Sequence, residues 1–483
     1  MKLAHLFADL TDAALDVRGM TLDSRRVRPG DLFIAVPGSQ QDGRDYISQA
    51  VAAGAAAIAY EPADYSLPAL PVPALAIAGL QQQLSALAGV FYQQPSQQLR
   101  VVGITGTNGK TSVSQMLSQA LTALDKPCGV IGTLGSGMPG QLTEHGMTTP
   151  DALVAQAQLA RLLAQGASHV AMEVSSHALD QGRVAAVEFA VGVFTNLSRD
   201  HLDYHGDMQH YGAAKSRLFQ LPLGTAVINL DDTFGRQLAG QCTCPVIGYS
   251  LTDSSAELYC SDVSYNSQGI RARLQARGRD LQLSSPLLGS FNLSNLLAVI
   301  GSLLALDISL EQAVAQVAGL QSPAGRMQRL GGGTAPLVVI DYAHTPDALD
   351  KALVALHEHA SGRVVCVFGC GGDRDKGKRP LMAKAAEQHA DAVVVTSDNP
   401  RSEPAQQIIE QICLGMERSG AATVIPNRAA AIAETIAAAS VGDVILLAGK
   451  GHETYQEIEG VRHPFSDLEH ARQALQHWEA QHA

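Results

Sequence analysis

The sequence predicts an α/β fold of three domains built on mostly parallel sheets. Its 483 residues are enough for three domains, since one domain takes roughly 150 residues. Short runs rich in Val, Ile and Ala alternate with Ala/Leu-rich stretches of helical length, which is the pattern of βαβ units around a parallel sheet. Polar clusters follow the strand-like runs, and such clusters mark ligand sites at the carboxyl edge of a sheet.

Two breaks in composition set the predicted domain boundaries. The Pro/Ala-rich stretch 62–73 and the polar stretch 93–98 close the first domain. The second break runs from 321–326 to the glycines at 331–333. The predicted domains are therefore 1–98, 99–325 and 326–483.

Charge and hydropathy exclude several classes of partner. Lys and Arg total 34 and Asp and Glu total 46, so the formal net charge is −12. We therefore expect no general affinity for nucleic acid or for an anionic membrane surface. The apolar run 50–60 is too short to span a bilayer. These features predict a cytoplasmic protein without stable membrane insertion.

The cysteines predict neither disulfides nor a zinc site. There are seven of them, scattered and odd in number, which argues against a disulfide framework. Cys242 with Cys244, and Cys366 with Cys370, lack a second pair at zinc-site spacing. We expect ordinary buried thiols.

Strand-like runs that each end in a polar or glycine-rich motif organise the second and third domains. The runs are 101–104, 169–172, 190–194, 337–340, 364–368, 392–395 and 444–447. Because ligands bind beyond the carboxyl ends of strands in open α/β sheets, the sequence predicts two separate rims of functional residues.

The motif after the first of these runs, 103–111, resembles a phosphate-binding loop. Its glycines let backbone N–H groups close on phosphate oxygens, and the next helix offers its N-terminus. Lys110 would neutralise the β- and γ-phosphates, and the Thr111 hydroxyl would reach Mg²⁺. The match to G-x4-G-K-[ST] is incomplete, since Ile104 stands at its first position. The alternative is a Gly-rich turn before a helix.

Two residues just beyond other strands are candidate metal ligands. Glu173 and His201 supply a carboxylate and an imidazole that, with Thr111, could hold Mg²⁺. Taken alone, the first could equally be a solvated loop acid and the second a structural histidine. The alternating His and Asp residues of 201–207 also suggest zinc, but they sit on no predicted helix and lack H-E-x-x-H spacing.

Taken together, the motifs of this chain resemble those of the Mur ligases of peptidoglycan synthesis. The motifs that carry the resemblance are 103–111, 172–177, 196–205, 289–295 and 341–347. The resemblance implies an N-terminal domain holding the UDP end of the substrate, a central ATPase and a C-terminal Rossmann-like domain that brings the amino acid. Motifs 398–401 and 449–453 resemble those of the members that add meso-diaminopimelate.

The resemblance also implies a reaction. ATP would phosphorylate the free side-chain carboxylate of UDP-N-acetylmuramoyl-L-alanyl-D-glutamate, and an amine of meso-diaminopimelate would attack the acyl phosphate to form an amide. The product would serve peptidoglycan synthesis, and through it cell wall biogenesis, cell shape and cell division. A lysine-adding Mur ligase and a folylpolyglutamate synthase remain alternatives, as does a nucleotide-gated binding protein without ligase activity. We expect a monomer.

Family positions imply the residues of the ATP site. Lys110, Lys215 and His201 would be catalytic, and Lys215, as a carbamate, would join Thr111, Glu173 and His201 around Mg²⁺. Without the resemblance, Lys215 would be a solvated helix lysine. The implied ATP contacts are Gly106, Thr107, Asn108, Gly109, Lys110, Thr111, Ser112, Asn292, Arg326 and Asp341.

Family positions also imply the sites for the other two substrates. Those for the UDP-linked substrate are Leu22, Ser24, Ser39, Gln40, Gln41, Thr148, Thr149, Ser175, Gln181 and Arg183. The alternative for Thr148 to Asp151 is that these residues are a helix-start signal, and both interpretations can hold. Those for diaminopimelate are Arg374, Asp398, Asn399, Pro400, Arg401, Gly449 and Glu453. Arg401 would clamp the carboxylate that lysine lacks; the alternative is a surface turn.

Overall fold

The structure is a computed structural model that describes residues 1–7, 15–38, 41–418 and 422–482. The chain forms two compact units. The first comprises Met1–Gly248 and Gly301–Asp307, and the second comprises Tyr249–Ile300 and Ile308–Ala483.

A four-stranded parallel sheet of order β1-β2-β3-β4 forms the N-terminal part of the first unit. The strands are β1 (Met20–Thr21), β2 (Leu32–Ala35), β3 (Ala57–Tyr60) and β4 (Ala74–Ala76). The helices are α1 (Ile47–Ala52), α2 (Leu80–Phe91) and α3 (Pro95–Gln98), with 3-10 turns at Leu3–His5, Ser24–Arg26 and Gly43–Tyr46. Side chains of β2 alternate between two cores, Leu32 and Ile34 in one and Phe33 in the other.

The central part of the first unit is a mostly parallel sheet with strand order β10-β9-β5-β8-β6-β7. The strands are β5 (Arg100–Thr105), β6 (Cys128–Gly132), β7 (Gly135–Gly137), β8 (His169–Glu173), β9 (Phe189–Phe194) and β10 (Leu223–Asn229). The helices are α4 (Lys110–Ala123), α5 (Ala152–Ala164), α6 (Ser176–Asp180), α7 (Leu202–His205), α8 (Met208–Ser216) and α9 (Thr233–Gln241), with a 3-10 turn at Arg217–Gln220.

Strand β5 lies in the middle of this sheet, parallel to β8 and β9, and β6 runs parallel to β8. Five of the six residues of β5 are buried, as expected for a strand of a parallel sheet covered on both faces. The carboxyl ends of these four strands therefore meet at one edge of the sheet.

The second unit contains a set of antiparallel strands and a separate Rossmann-like sheet. The antiparallel set is β12 (Leu258–Asn266), β13 (Gly269–Ala276) and β14 (Arg279–Ser285). Strand β11 (Val246–Ser250), whose last two residues belong to this unit, pairs parallel with β12. Helices α10 (Ser290–Ala305) and α11 (Leu310–Val317) follow.

The Rossmann-like sheet has the strand order β15-β16-β20-β17-β18-β19 and is parallel except for edge strand β15. Its strands are β15 (Gln328–Gly331), β16 (Leu337–Asp341), β17 (Val364–Phe368), β18 (Ala392–Val395), β19 (Ala422–Val424) and β20 (Val444–Ala448), followed by the hairpin β21 (Tyr455–Ile458) and β22 (Val461–Pro464). The helices are α12 (Pro346–His357), α13 (Lys378–His389), α14 (Ala405–Cys413), α15 (Arg428–Ala437) and α16 (Asp467–His482).

The structure confirms the α/β class and every strand-like run predicted above, with bounds shifted by at most one residue. It corrects three local predictions. Strand β15 lies inside the predicted break at 321–333, and 201–207 includes the one-turn helix α7. Cys242 and Cys244 are half-buried rather than buried, although all seven cysteines are free.

Among the described residues, no helix is long and apolar enough to cross a membrane.

Asp151 caps α5 by accepting hydrogen bonds from the N–H groups of Leu153 and Val154, which confirms the predicted helix start.

Candidate active site

The predicted phosphate loop connects the carboxyl end of β5 to α4. Gly106 has φ +146°, and a Cβ there would collide with Thr195 Oγ1, so the position requires glycine. The Asn108 N–H donates to Asn196 Oδ1 at 3.0 Å, and Thr195 Oγ1 donates to the Asn108 carbonyl at 2.6 Å. The residues after β9 therefore fix the shape of the loop.

The other loop residues expected to contact ATP occupy the same turn. Thr107 Oγ1 donates to the Ser198 carbonyl at 3.2 Å and accepts from the Ser198 N–H at 3.0 Å. Gly109 adopts φ +87° as the N-cap of α4, and Ser112 lies in the first turn of that helix. The free N–H groups of a helix start favour an anion.

Lys110 folds back over its own loop. Its Nζ donates to the carbonyls of Gly106 and Thr107, both at 2.9 Å. The ammonium thus already lies at the loop whose predicted ligand is a triphosphate.

Glu173 is a fully buried carboxylate at the end of β8. Its Oε2 accepts hydrogen bonds from Thr111 Oγ1 at 3.0 Å and from Thr133 Oγ1 at 3.1 Å. Its Oε1 accepts from the Thr133 N–H at 3.0 Å. Burial raises the pKa of this carboxyl group, while Lys110 and the hydrogen bonds act in the opposite direction. Glu173 is therefore not a solvated loop acid.

Lys215, on α8, is also buried, with 1% of its surface exposed. Its Nζ donates to the Gly106 carbonyl at 2.8 Å and lies 4.3 Å from the centre of the Tyr211 ring. Burial, and next the charge of Lys110, hold the pKa of its amine well below its usual range. The interpretation as a solvated helix lysine is therefore wrong.

His201 is half-exposed and precedes α7 in a left-handed conformation, φ +52°. Its ring packs against His177 and Tyr211, with centroids 5.0 and 6.0 Å away, and its Nε2 lies 3.6 Å from Asp200 Oδ2. Within the described ranges, no group of three His, Cys, Asp or Glu side chains is placed to hold a metal. The zinc alternative thus gains no support.

A cavity of about 840 Å³ in the first unit is lined by some of the residues predicted to bind the UDP-linked substrate. Leu22, Ser24 and Gln41 line it, together with Met147 and Asp151. The predicted residues Ser39 and Gln40 lie outside the described residues.

The remaining residues predicted for this substrate form one hydrogen-bonded group. Thr149 Oγ1 donates to the Glu173 carbonyl at 2.8 Å and accepts from the Ser175 N–H at 3.0 Å. Arg183 donates to the Thr149 carbonyl at 2.8 Å and to Gln181 Oε1 at 2.7 Å. Thr148 Oγ1 lies 3.0 Å from the hydroxyl of Thr133, which itself bonds Glu173.

Three predicted ATP contacts belong to the second unit. Asn292 is buried and donates to the Leu288 carbonyl at 2.8 Å. Asp341 Oδ2 accepts from the Met327 N–H at 2.7 Å, and burial raises the pKa of this carboxyl group. The guanidinium of Arg326 lies 5.0 Å from the centre of the Tyr342 ring.

The residues predicted to bind diaminopimelate gather at the carboxyl edge of the Rossmann-like sheet. Asn399 Nδ2 donates to Glu453 Oε2 at 2.8 Å. Gly449 has φ +109°, and a Cβ there would lie 2.6 Å from Asp398 Oδ2, so the loops that follow β20 and β18 approach closely at this point. Arg374 is exposed in the loop after β17.

Arg401 stands in the left-handed conformation, φ +52°. Its Nη1 donates to the Gly372 carbonyl at 2.8 Å, and its Nε lies 3.6 Å from Glu457 Oε2. Its backbone N–H donates to the Glu457 carbonyl at 2.9 Å. With Pro400 it lines a cavity of about 690 Å³, so the alternative of a surface turn does not describe it.

Sequence reasoning missed three residues of these rims. Thr133 bonds both oxygens of Glu173, and Thr195 braces the phosphate loop. Lys450 is buried against Asn399 and Glu453. Thr133 and Thr195 each follow a strand directly, which was the available signal; the burial of Lys450 has no signal in the sequence.

A phosphate-binding type of loop on one sheet and a rim of paired charges on another are the features expected of an ATP-dependent ligase that joins an acid to an amine. Family models identify the ligase. The Mur ligase family catalytic domain matches residues 16–92, the Mur ligase middle domain residues 104–303 and the Mur ligase glutamate ligase domain residues 325–451. The chain belongs to the Mur ligase family.

Curated relatives match along the whole chain. A UDP-N-acetylmuramoyl-L-alanyl-D-glutamate--2,6-diaminopimelate ligase of Ectopseudomonas mendocina is 60% identical over 474 residues, 97% of this chain and 96% of the relative. The protein of the same name from Pseudomonas aeruginosa is 58% identical over 486 residues, 100% of both chains. A solved structure with that name is 37% identical, with a TM-score of 0.77, and covers 100% of this chain and 99% of its own.

Proposed function

We propose that this chain is the ATP-dependent ligase that adds meso-diaminopimelate to UDP-N-acetylmuramoyl-L-alanyl-D-glutamate in peptidoglycan precursor synthesis. The observation that carries the proposal is the rim of the second unit, where Arg401 accompanies Asp398 and Glu453. A guanidinium and carboxylates together suit a ligand that is both a carboxylate and an ammonium ion. The relatives named above support the same substrates.

In this proposal the first rim performs phosphoryl transfer. The substrate carboxylate attacks the γ-phosphorus of ATP, a new O–P bond forms, and ADP leaves. Transfer to a carboxylate brings anions together, so Lys110 and the N–H groups of the phosphate loop offset the repulsion. The amine of diaminopimelate then attacks the acyl carbon, loses a proton and expels phosphate, leaving an amide.

The residues of the first rim fit a magnesium ion. Glu173 is a buried carboxylate that accepts hydrogen bonds from hydroxyl and N–H groups and feels the charge of Lys110, and hard oxygen ligands suit Mg²⁺. Thr111, Glu173, His201 and a carbamylated Lys215 would hold it. When bound, the ion would supply positive charge against the phosphates.

Removing the Thr133 hydroxyl tests this assignment. Thr133→Val is expected to weaken Mg²⁺-dependent ADP binding about tenfold, because it removes the hydrogen bond by which the Thr133 hydroxyl orients the charged Glu173 carboxylate. Calorimetric titration of ADP with and without Mg²⁺ measures this effect. Thr133→Ser is the control, since it keeps the hydroxyl. Equal ADP affinities for the two variants at all Mg²⁺ concentrations would contradict the assignment.

The remaining predicted sites stay part of this proposal. The cavity at Leu22 and Ser24, with the group around Thr149 and Arg183, would bind the UDP-linked substrate. Asn292, Arg326 and Asp341 would complete the ATP site. We keep the predicted domains 1–98, 99–325 and 326–483 for the UDP, ATP and amino-acid functions. Cytoplasmic location and a monomeric state also stay predictions.

Phosphate release is the direct test of the function. It is expected to require the UDP-linked dipeptide and meso-diaminopimelate together, because acyl phosphate and amine come from different substrates. A coupled phosphate assay with each substrate omitted in turn measures this requirement. Comparable turnover with lysine would favour the lysine-adding alternative. ATP binding without phosphate release under all these conditions would favour the nucleotide-gated binding protein.

A further inference from the structure

Lys450 is a fully buried lysine directly after β20, with 0% of its side chain exposed. Its Nζ donates to Asn399 Oδ1 at 3.1 Å and to Glu453 Oε2 at 2.9 Å. An ammonium group is costly to bury unless it is paired and hydrogen-bonded. Both of its partners belong to the proposed diaminopimelate site.

The lysine determines which way the Asn399 amide faces. An ammonium group only donates hydrogen bonds, so the oxygen of the amide must face Lys450. The same Oδ1 accepts from the Glu457 N–H at 3.0 Å. The amide nitrogen is thereby directed to Glu453 Oε2, to which it donates at 2.8 Å.

Glu453 is consequently engaged on one oxygen. Its Oε2 accepts from both Lys450 and Asn399, whereas its Oε1 has no hydrogen bond from the described residues. The side chain is 19% exposed. The unengaged oxygen is therefore the one that a ligand can reach.

We propose that Lys450 is a positioning residue for the amino-acid substrate. It orients the Asn399 amide and the Glu453 carboxylate so that Glu453 Oε1 accepts a hydrogen bond from an ammonium group of diaminopimelate. Lys450 itself does not touch the substrate. This inference rests on the proposed function.

The test is Lys450→Met, which keeps an unbranched apolar stem and removes the ammonium. The KM for meso-diaminopimelate is expected to rise about tenfold or more, the effect of losing a charge-assisted hydrogen bond. The KM values for ATP and for the UDP-linked substrate should change by less than about twofold. Lys384→Met is the matched control, because Lys384 is half-exposed on α13 and pairs with Glu417.

A second variant and a double-mutant cycle complete the experiment. Lys450→Gln retains an N–H donor, so its KM for diaminopimelate should fall between those of wild type and Lys450→Met, and it serves if the methionine variant does not fold. The double variant Lys450→Met/Asn399→Ala should have a KM for diaminopimelate that is raised less than the two single fold-changes multiplied together, because Lys450 acts through Asn399.

The outcomes separate the two proposals. Absence of diaminopimelate-dependent turnover by the wild type would overturn the proposed function. Normal turnover by the wild type, with an unchanged diaminopimelate KM in the folded Lys450 variants or an equal rise in all three KM values, would overturn the positioning role alone.

Discussion

Lys215→Met is expected to lower turnover at least about a hundredfold, the scale of removing one group that stabilises transition-state charge. Lys215 is buried, and its Nζ already lies 2.8 Å from the Gly106 carbonyl of the phosphate loop. Because burial lowers the pKa of its amine, more of this lysine is neutral at pH 7 than of an exposed one, and the neutral amine is the form that reacts with CO₂.

The proposed modification accounts for the size of this effect. The nitrogen of the neutral amine bonds to the carbon of CO₂ and one proton leaves to solvent, which gives a carbamate anion with two oxygens; counted from the ammonium form, two protons leave and a cation becomes an anion. Such a group suits Mg²⁺, whereas the unmodified ammonium would repel it. Turnover of the wild type depleted of CO₂ is therefore expected to fall and to recover on adding bicarbonate.

Comparison with arginine separates charge from modification. Lys215→Arg keeps a cation but cannot form the carbamate under these conditions, so it should be as impaired as Lys215→Met. Lys126→Met, at a position away from the phosphate loop, is the control and should retain full turnover. The mass of the intact, active enzyme shows whether Lys215 carries CO₂. A mass that lacks this addition, together with full activity of the arginine variant, would contradict the modification.

The burial of Lys215 shows where sequence reasoning stops. Its helix sequence around Tyr211 and Ala214 is compatible with either a solvated or a buried lysine, because burial is decided by the loop after β5, about a hundred residues earlier in the chain. Only the family resemblance pointed to this lysine. Lys450 is also buried by a partner distant in the chain, since Asn399 follows another strand, and neither the sequence pattern nor the resemblance pointed to it.

The strands show the opposite case. Continuous apolar runs such as Val364–Phe368 are buried on both faces of a parallel sheet, so composition alone identified them. Strand β15, Gln328–Gly331, has no such run and exists only because it pairs with β16 at the sheet edge. In β13, Gly269–Ala276, buried and exposed residues alternate over most of its length, which is the period-2 pattern of a half-buried strand.

Arg401→Ala is expected to raise the KM for meso-diaminopimelate by about a hundredfold and to leave the KM for ATP within about twofold. Diaminopimelate differs from lysine by one carboxylate, and a guanidinium can bind that group through two parallel hydrogen bonds. In the structure Arg401 Nη1 donates to the backbone carbonyl of Gly372, and its Nε lies 3.6 Å from Glu457 Oε2, so the side chain is already held in the rim.

The backbone of Arg401 makes alanine an informative replacement. A residue with a Cβ at φ +52° carries a strain of about 1–2 kcal/mol that glycine would relieve. Alanine keeps the Cβ and hence the strain, so a change in KM reports the guanidinium alone. Arg401→Lys keeps the charge without the planar fork and should recover only part of the loss.

Selectivity is the decisive measurement for this residue. The ratio of kcat/KM for diaminopimelate to that for lysine should fall towards one in Arg401→Ala. Without the guanidinium, the site has no partner for the carboxylate that diaminopimelate carries and lysine lacks, so it no longer discriminates between them by that group. Arg472→Ala, at an exposed position of α16, should keep the wild-type ratio. An unchanged ratio in Arg401→Ala, or an equal rise in KM for ATP, would assign the recognition of the second carboxylate to another residue of the predicted site, such as Arg374.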